Sequence, residues 1–202
     1  MILLLHLAIK EKKYLSTSQK KKTTFLIKKK LKKGLKIELK LFGKICSITF
    51  LDTGQKTMTG GRLKRASKLI QDNKFFLTYG DGLGNINLSK LKNFHNSQNK
   101  MVTVTAVNPP ARFGEIILKN NEVIDFTEKQ PIKSSWINGG YFIITKKFIN
   151  YIKNDKSILE RYPLETIAKK KQLNAYKHHS LWQCLDTKRD IPYIKNLLSK
   201  IF

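Results

Sequence analysis

From Ile45 onward the apolar positions fall into short blocks whose spacing predicts alternating strands and helices. ICSITFL (45–51) is a β-branched run that predicts a strand. After a turn rich in glycine and hydroxyl residues, RLKRASKLIQD (62–72) sets Leu63, Ala66, Leu69 and Ile70 at helical spacing. FFLTYGDG (75–82) predicts a buried strand ending in a sharp turn, NLSKLKNFHNS (87–97) a helix capped by Asn87 or Ser89, and MVTVTAV (101–107) a further buried strand. Turn chemistry at NPPARFGE (108–115) leads to shorter strands around IILK (116–119) and VIDFTEK (123–129), and NGGYFIIT (138–145) is a strand entered through paired glycines. KKFINYIK and PLETIAKKK predict helices, with Pro163 suited to the first turn of the second. LNAYKHHSLWQCLDT (173–187) then leads into a terminal amphipathic helix carrying Ile194, Leu197, Leu198 and Ile201. Strands alternating with helices predict an α/β fold with a mainly parallel mixed sheet.

Residues 1–44 show no such period. After the apolar MILLLHLAI the chain runs through repeated lysines, 14 of them against Glu11 and Glu38. Such a segment packs poorly, because each buried ammonium needs a partner. The expected division is a basic, low-complexity segment over 1–44, disordered or foreign to the fold, and a partial domain over 45–202. The apolar start is too short to span a bilayer and lacks the basic residues that precede a signal peptide's core, so a cytoplasmic protein is expected.

A length of 202 residues with 41% hydrophobic content suits one globular core. The formal charge of +26 points to polyanionic partners, yet nearly half of the excess sits in the N-terminal segment. A non-catalytic protein whose basic arm contacts RNA or anionic lipid is the alternative reading, and it is not favoured. Cys46 and Cys184 match neither a disulfide framework nor a zinc spacing.

Asp81, in YGDG, stands at the predicted end of a strand, where open α/β sheets gather ligands, and Asp186 follows a second apolar run. Two carboxylates from distant strand ends can share one divalent cation that takes its remaining ligands from phosphates and water. LDTGQKTMTGGRLKR (51–65) holds the glycine, hydroxyl and guanidinium groups that suit phosphate oxygens, with Arg62 and the Thr57 hydroxyl foremost. Glu128, Lys129, Asn138, Gly139 and Gly140 offer a polar rim for a hydroxyl-rich or phosphorylated substrate. His178 and His179 are adjacent and so face opposite sides of a strand, with no partner at zinc-ligand spacing. Trp182 lies in an apolar run, where packing is the commoner role.

LDTGQKTMTGGRLKR, TYGDG, PPARFGE, TEKQP, INGGYFI and HHSLWQCLDTKRD occur in the order expected of one family. Over roughly residues 46–202 the chain resembles the glucose-1-phosphate cytidylyltransferases, a branch of the sugar-phosphate nucleotidyltransferases. The resemblance implies a Rossmann-like nucleotidyltransferase domain that joins CTP and α-D-glucose 1-phosphate into CDP-glucose and pyrophosphate with Mg²⁺, for surface-polysaccharide sugars. It implies Asp81 and Asp186 as metal ligands, and Thr57, Gly61, Arg62 and Gly80 as nucleotide contacts. Glu128, Lys129, Asn138 and Gly139 would lie at the sugar phosphate, with Arg62 and Lys129 as catalytic cations. It also implies self-association, and uridylyl- or thymidylyl-transfer is the near alternative.

The family opens with a strand, a Gly-Gly-x-Gly-Thr-Arg loop and a Lys-Pro motif that cradle the triphosphate. Residues 1–45 contain only Gly34 and Gly43, no arginine and no proline. The expectation is a domain without its first strand and glycine-rich loop, an incomplete copy left by frameshift or truncation, since A-rich coding sequence gives Lys-rich peptide. MILLLHLAI is the candidate to substitute for the strand. Loss of one preorganised donor costs about 10²–10³ in rate, so the chain alone is expected to be nearly or wholly inactive.

Overall fold

A computed structural model describes residues 2–5, 24–31, 34–41, 44–108, 115–127, 135–188 and 190–201. The chain divides into two compact units, one formed by Met1–Asn73 with Lys146–Ile167 and the other by Lys74–Thr145 with Ala168–Phe202.

The first unit holds a four-stranded sheet of β1 (Ile2–Leu5), β2 (Thr24–Leu31), β3 (Gly34–Leu41) and β4 (Lys44–Leu51), in the order β1-β4-β3-β2. The described part of residues 1–44 is therefore extended, although its lysines hide a period in the sequence. Leu35 and Ile37 are buried, while Lys36 and Glu38 between them form a partly exposed ion pair of 3.1 Å. Cys46, Ile48 and Phe50 of β4 pack against that apolar pair, so period-two alternation places β3 and β4 face to core. From the candidate substitute strand, Leu3 pairs with Ile48 and Leu5 with Phe50 in a parallel ladder.

Helix α1 (Thr59–Ser67) follows the 52–58 turn and buries Leu63 and Ser67. Lys64 and Arg65 in its last turn complement the helix dipole. The predicted helix at KKFINYIK is a 3-10 helix (Lys146–Tyr151) that buries Phe148. Helix α2 (Leu88–Gln98) lies in the second unit, and α3 (Tyr162–Lys169) begins in the first, with Pro163 in its opening turn.

The second unit is built on β5 (Lys74–Thr78), β7 (Val102–Val107), β10 (Ile137–Thr145) and β11 (Leu173–His178), in the order β11-β7-β10-β5. β10 pairs antiparallel with both β5 and β7, and β11 pairs parallel with β7. Three strands thus share one direction and β10 opposes them. The sheet is mixed, and two of its three ladders are antiparallel, where the alternation of elements predicts a mainly parallel one. The connection fits this: among the described residues between β7 and β10 stands the hairpin of β8 (Glu115–Lys119) and β9 (Glu122–Thr127), and no helix.

Asn87 caps α2 by accepting the Lys90 amide at 2.9 Å, and Leu91 and His95 are the buried residues of this helix. Val102, Val107, Phe142, Ile143 and Ile144 form the sheet core. Two short strands, β6 (Gly82–Gly84) and β12 (Trp182–Cys184), make an antiparallel ribbon ahead of the terminal helix α4 (Asp190–Ile201). Among the described residues no helix is long and apolar enough to cross a membrane.

Candidate functional site

Asp81 immediately precedes β6, and Asp186 lies two residues beyond β12. Because Gly82 pairs with Cys184 and the Leu185 amide donates to the Asp81 carbonyl at 2.8 Å, the ribbon joins these two sequence-remote segments at one end. The carboxylates of Asp81 and Asp186 and the Cys184 sulfur converge there, with donor atoms all within 4.8 Å of one another. Cys184 Sγ donates to Asp186 Oδ1 at 3.0 Å. Asp190, at the start of α4, accepts from the Asp186 and Thr187 amides at 3.1 and 2.7 Å and so fixes the turn after Asp186. Both site aspartates are exposed. Two anionic oxygens at a solvent-facing strand end fit Mg²⁺, which takes one or two carboxylates and keeps water and phosphate oxygens.

The rim beside the pair is built by β10. Gly140 adopts φ +76°, and a side chain there would meet the Tyr79 ring at 3.0 Å, so only glycine suits the position. The Gly140 amide donates to Asn138 Oδ1 at 2.9 Å, and Asn138 Nδ2 donates to the Tyr79 hydroxyl at 3.3 Å. Trp182 Nε1 donates to the Gly139 carbonyl at 2.8 Å, and Tyr141 donates its hydroxyl to the Gly82 carbonyl at 3.0 Å. Burial pushes the Tyr141 hydroxyl above its ordinary 10.0, which keeps it a neutral donor. These two bonds tie both strands of the ribbon to β10. Trp182 is therefore a buttress, with its indole N–H committed to backbone. Gly80 is exposed, with no atom within 4 Å of where a Cβ would stand.

His178 ends β11 and is buried, whereas His179, just beyond the strand, is exposed. His178 is buried with Nε2 3.2 Å from the Leu181 carbonyl, and His179 meets the Trp136 ring edge-on at 5.1 Å.

In the first unit, the 51–65 turn is knitted by its own groups. Arg62 donates to Thr53 Oγ1 at 3.2 Å and to the Gln55 carbonyl at 3.1 Å. Arg65 donates to the Thr53 carbonyl and to Asp155, and the Asp155 carboxylate holds its guanidinium above the usual range. The amides of Met58, Gly60 and Gly61 donate to the carbonyls of Asp155 and Ser157 at 2.8–3.2 Å. Those N–H groups, which the composition of the turn suggests for phosphate, are directed at the 155–157 backbone. Thr57 is buried, with its amide on the Gly54 carbonyl. Glu128 and Lys129 lie outside the described residues.

Cys184 is the site residue that the sequence reading did not single out. Its position two before Asp186 is the available signal, but a lone Cys-x-Asp carries little weight until Asp81 stands beside it.

No family model matches the chain. It is 39% identical over 155 residues to the glucose-1-phosphate cytidylyltransferase of Salmonella typhimurium, a match covering 76% of this chain and 60% of that protein. It is 37% identical over 145 residues to the Bacillus subtilis protein described as a probable glucose-1-phosphate cytidylyltransferase, covering 71% of this chain and 57% of the relative. Among solved structures, HddC from Yersinia pseudotuberculosis superposes with a TM-score of 0.64 at 19% identity, covering 98% of this chain and 78% of that one. That likeness shows the α/β nucleotidyltransferase fold. The chain is thus a homologue of the glucose-1-phosphate cytidylyltransferases and spans about 60% of the length of these relatives.

Proposed function

We propose that this chain carries the cation and sugar-phosphate elements of a glucose-1-phosphate cytidylyltransferase, which forms CDP-glucose and pyrophosphate from CTP and α-D-glucose 1-phosphate. The observation that carries the proposal is the convergence of Asp81 and Asp186 at one end of the β6–β12 ribbon. A phosphate oxygen of glucose 1-phosphate attacks the α-phosphorus of CTP in line, and the bond to the departing pyrophosphate breaks. No covalent protein nucleophile is needed. Asp81 and Asp186 would hold Mg²⁺, which when bound would supply charge neutralisation for the transferring and leaving groups.

In the second unit, Gly80 leaves room for the nucleotide, and Asn138 and Gly139 receive the sugar phosphate together with Glu128 and Lys129. For the first unit, the family resemblance supports Thr57 and Arg62 as nucleotide contacts, with Gly61 allowing the close packing that sets Arg62. Arg62 and Lys129 supply cations that stabilise the developing charge. The site works in the cytoplasm, in a self-associated protein.

The Gly-Gly-x-Gly-Thr-Arg loop does not occur in this sequence, and several donors go with it. At about 10²–10³ in rate per donor, turnover by this chain alone is expected to be near zero. Pyrophosphate release from CTP and glucose 1-phosphate, measured with and without a loop-bearing N-terminal segment from a relative, tests the assignment. The expected result is release that depends on that segment and vanishes in Asp81→Asn and Asp186→Asn. Release that survives both substitutions would refute it, and turnover of UTP or dTTP above CTP would move the assignment to the uridylyl- or thymidylyl-transferases.

A further inference from the structure

We propose that the open edge of β5 is a self-association surface, on which β5 of a second copy of this chain pairs antiparallel about a two-fold axis at Phe76. The proposal rests on the self-association reading above and gives it a surface, built from the second unit alone.

β5 is an edge strand of its sheet, with β10 on one side. The Tyr79 amide donates to the Gly140 carbonyl at 2.9 Å. In an antiparallel ladder, residues that bond the neighbour alternate with residues whose backbone groups point away. The β5–β10 register runs without a shift, so Phe75 and Leu77 direct their N–H and C=O groups at β10. Lys74, Phe76 and Thr78 direct theirs at the open edge. Edge strands are commonly blunted by proline, a bulge or charged side chains. β5 has neither proline nor bulge, and its one charge, Lys74, stands at the first position with Nζ donated to Asn96 Oδ1 at 2.9 Å.

The apolar groups along this edge are uncovered. Phe76 is 47% exposed, and Leu88, in the first turn of α2, is 46% exposed. The Lys74–Asn96 bond puts one face of α2 beside β5, and Leu88, Lys92 and Asn96 share that face at helical spacing.

A second copy fits because the edge is self-complementary. A two-fold axis perpendicular to the sheet at Phe76 sets that ring against its own counterpart as an aromatic cross-strand pair. It sets Lys74 against Thr78 of the partner subunit, so no lysine meets a lysine along the ladder. All three residues turn both backbone groups outward, which is what reciprocal antiparallel pairs require. The two α2 helices then flank the axis and cover Leu88. Lys92 is brought toward its counterpart, so association should strengthen as salt screens the two charges.

Sedimentation velocity of the full chain over a concentration series, joined to residue-resolved amide exchange, tests the surface. A dimer should grow with concentration, and the Phe76 and Thr78 amides should slow with it while those of Phe75 and Leu77 stay unchanged. Phe76→Lys sets like charges at the axis and should weaken the dimer by at least about tenfold. Thr78→Pro removes an outward N–H, which an edge strand tolerates, and should weaken it similarly. Circular dichroism checks that both variants keep the fold, and exchange in the unmodified chain needs no variant at all.

Exchange at Phe76 and Thr78 that ignores concentration would overturn the proposal. Fast at every concentration, it shows the edge open; slow at every concentration, it shows a segment of the same chain on the edge. A dimer unchanged in Phe76→Lys and Thr78→Pro overturns this surface and leaves the self-association reading standing, whereas a monomer throughout the series refutes both.

Discussion

Replacing Gly61 by alanine distinguishes packing from ligand contact in the 51–65 turn. A methyl group at Gly61 would lie 2.6 Å from the Asp155 Cα, 2.7 Å from its carbonyl oxygen and 2.9 Å from its carbonyl carbon. All three are backbone atoms of the segment whose Ser157 carbonyl accepts the Gly60 and Gly61 amides at 2.9 and 3.2 Å. Ordinary carbon contacts stand at about 3.5–4.0 Å, so the start of α1 and the 155–157 segment must part by roughly 1 Å. Two hydrogen bonds weaken, each with a net value of about 0.5–1.5 kcal/mol, and overpacking adds about 1–3 kcal/mol. Alanine's better helix propensity returns up to about 1 kcal/mol. The expected net loss is about 2 kcal/mol, which for a chain of this length lowers the thermal midpoint by about 4–8 °C. A urea titration followed by circular dichroism should show a lower midpoint at unchanged slope. Gly80→Ala is the matched control: the position is open, and its stability should stay within about 0.5 kcal/mol of the unmodified chain. A Gly61→Ala midpoint equal to that of the unmodified chain would refute the packing argument.

Asp81→Asn and Asp186→Asn should each weaken Mn²⁺ binding by at least about tenfold, since each removes one of the two proposed anionic ligands; equal affinity in an electron paramagnetic resonance titration with Mn²⁺ would contradict the shared-ion proposal. Burial, reinforced by Lys74, holds the His95 imidazole below its ordinary 6.5. The unfolded chain therefore binds this proton first as pH falls, so the contribution of His95 to stability is complete above about 6.5 and declines as pH drops from there through the folded value. His95→Gln, which can still reach Thr103, should flatten that part of the urea-midpoint profile between about pH 7.5 and 5.5; an unchanged slope would rule His95 out as its source. Trp182→Phe leaves the Gly139 carbonyl without its 2.8 Å donor and should cost about 1–3 kcal/mol in urea unfolding, whereas a midpoint within error of the unmodified chain would show that water replaces the indole.

The elements from Ile45 on were legible because their apolar spacing is local. Asn87 rather than Ser89 caps α2, and the choice rests on a single 2.9 Å bond that the sequence leaves open. Ladder direction was less legible, since it depends on how a connection travels: among the described residues a hairpin, not a helix, stands between β7 and the antiparallel β10. Within residues 24–41 the strands were hidden by composition. Lysine at Lys28, Lys29, Lys30 and Lys36 reads as a solvated run, yet the alternation of Leu35 and Ile37 with Lys36 and Glu38 is enough to fill one face of β3.

The candidate site was legible as two ends, not as one place. Asp81 and Asp186 each mark the close of an apolar run, and nothing local says that those runs meet. Their meeting depends on the register of a ribbon only three residues wide, in which Gly82 stands opposite Cys184. A slip of two residues keeps every side chain on its face but carries Asp186 about 7 Å along the strand, beyond the reach of an ion held by Asp81. Three pairs of residues cannot hold that register alone, because a short two-stranded ribbon is marginally stable in water. The bonds from Tyr141 to the Gly82 carbonyl and from Trp182 to the Gly139 carbonyl anchor one strand each to β10. These two aromatic donors therefore hold the register that brings the Asp81 and Asp186 carboxylates together, so their loss should loosen the proposed cation site along with the fold.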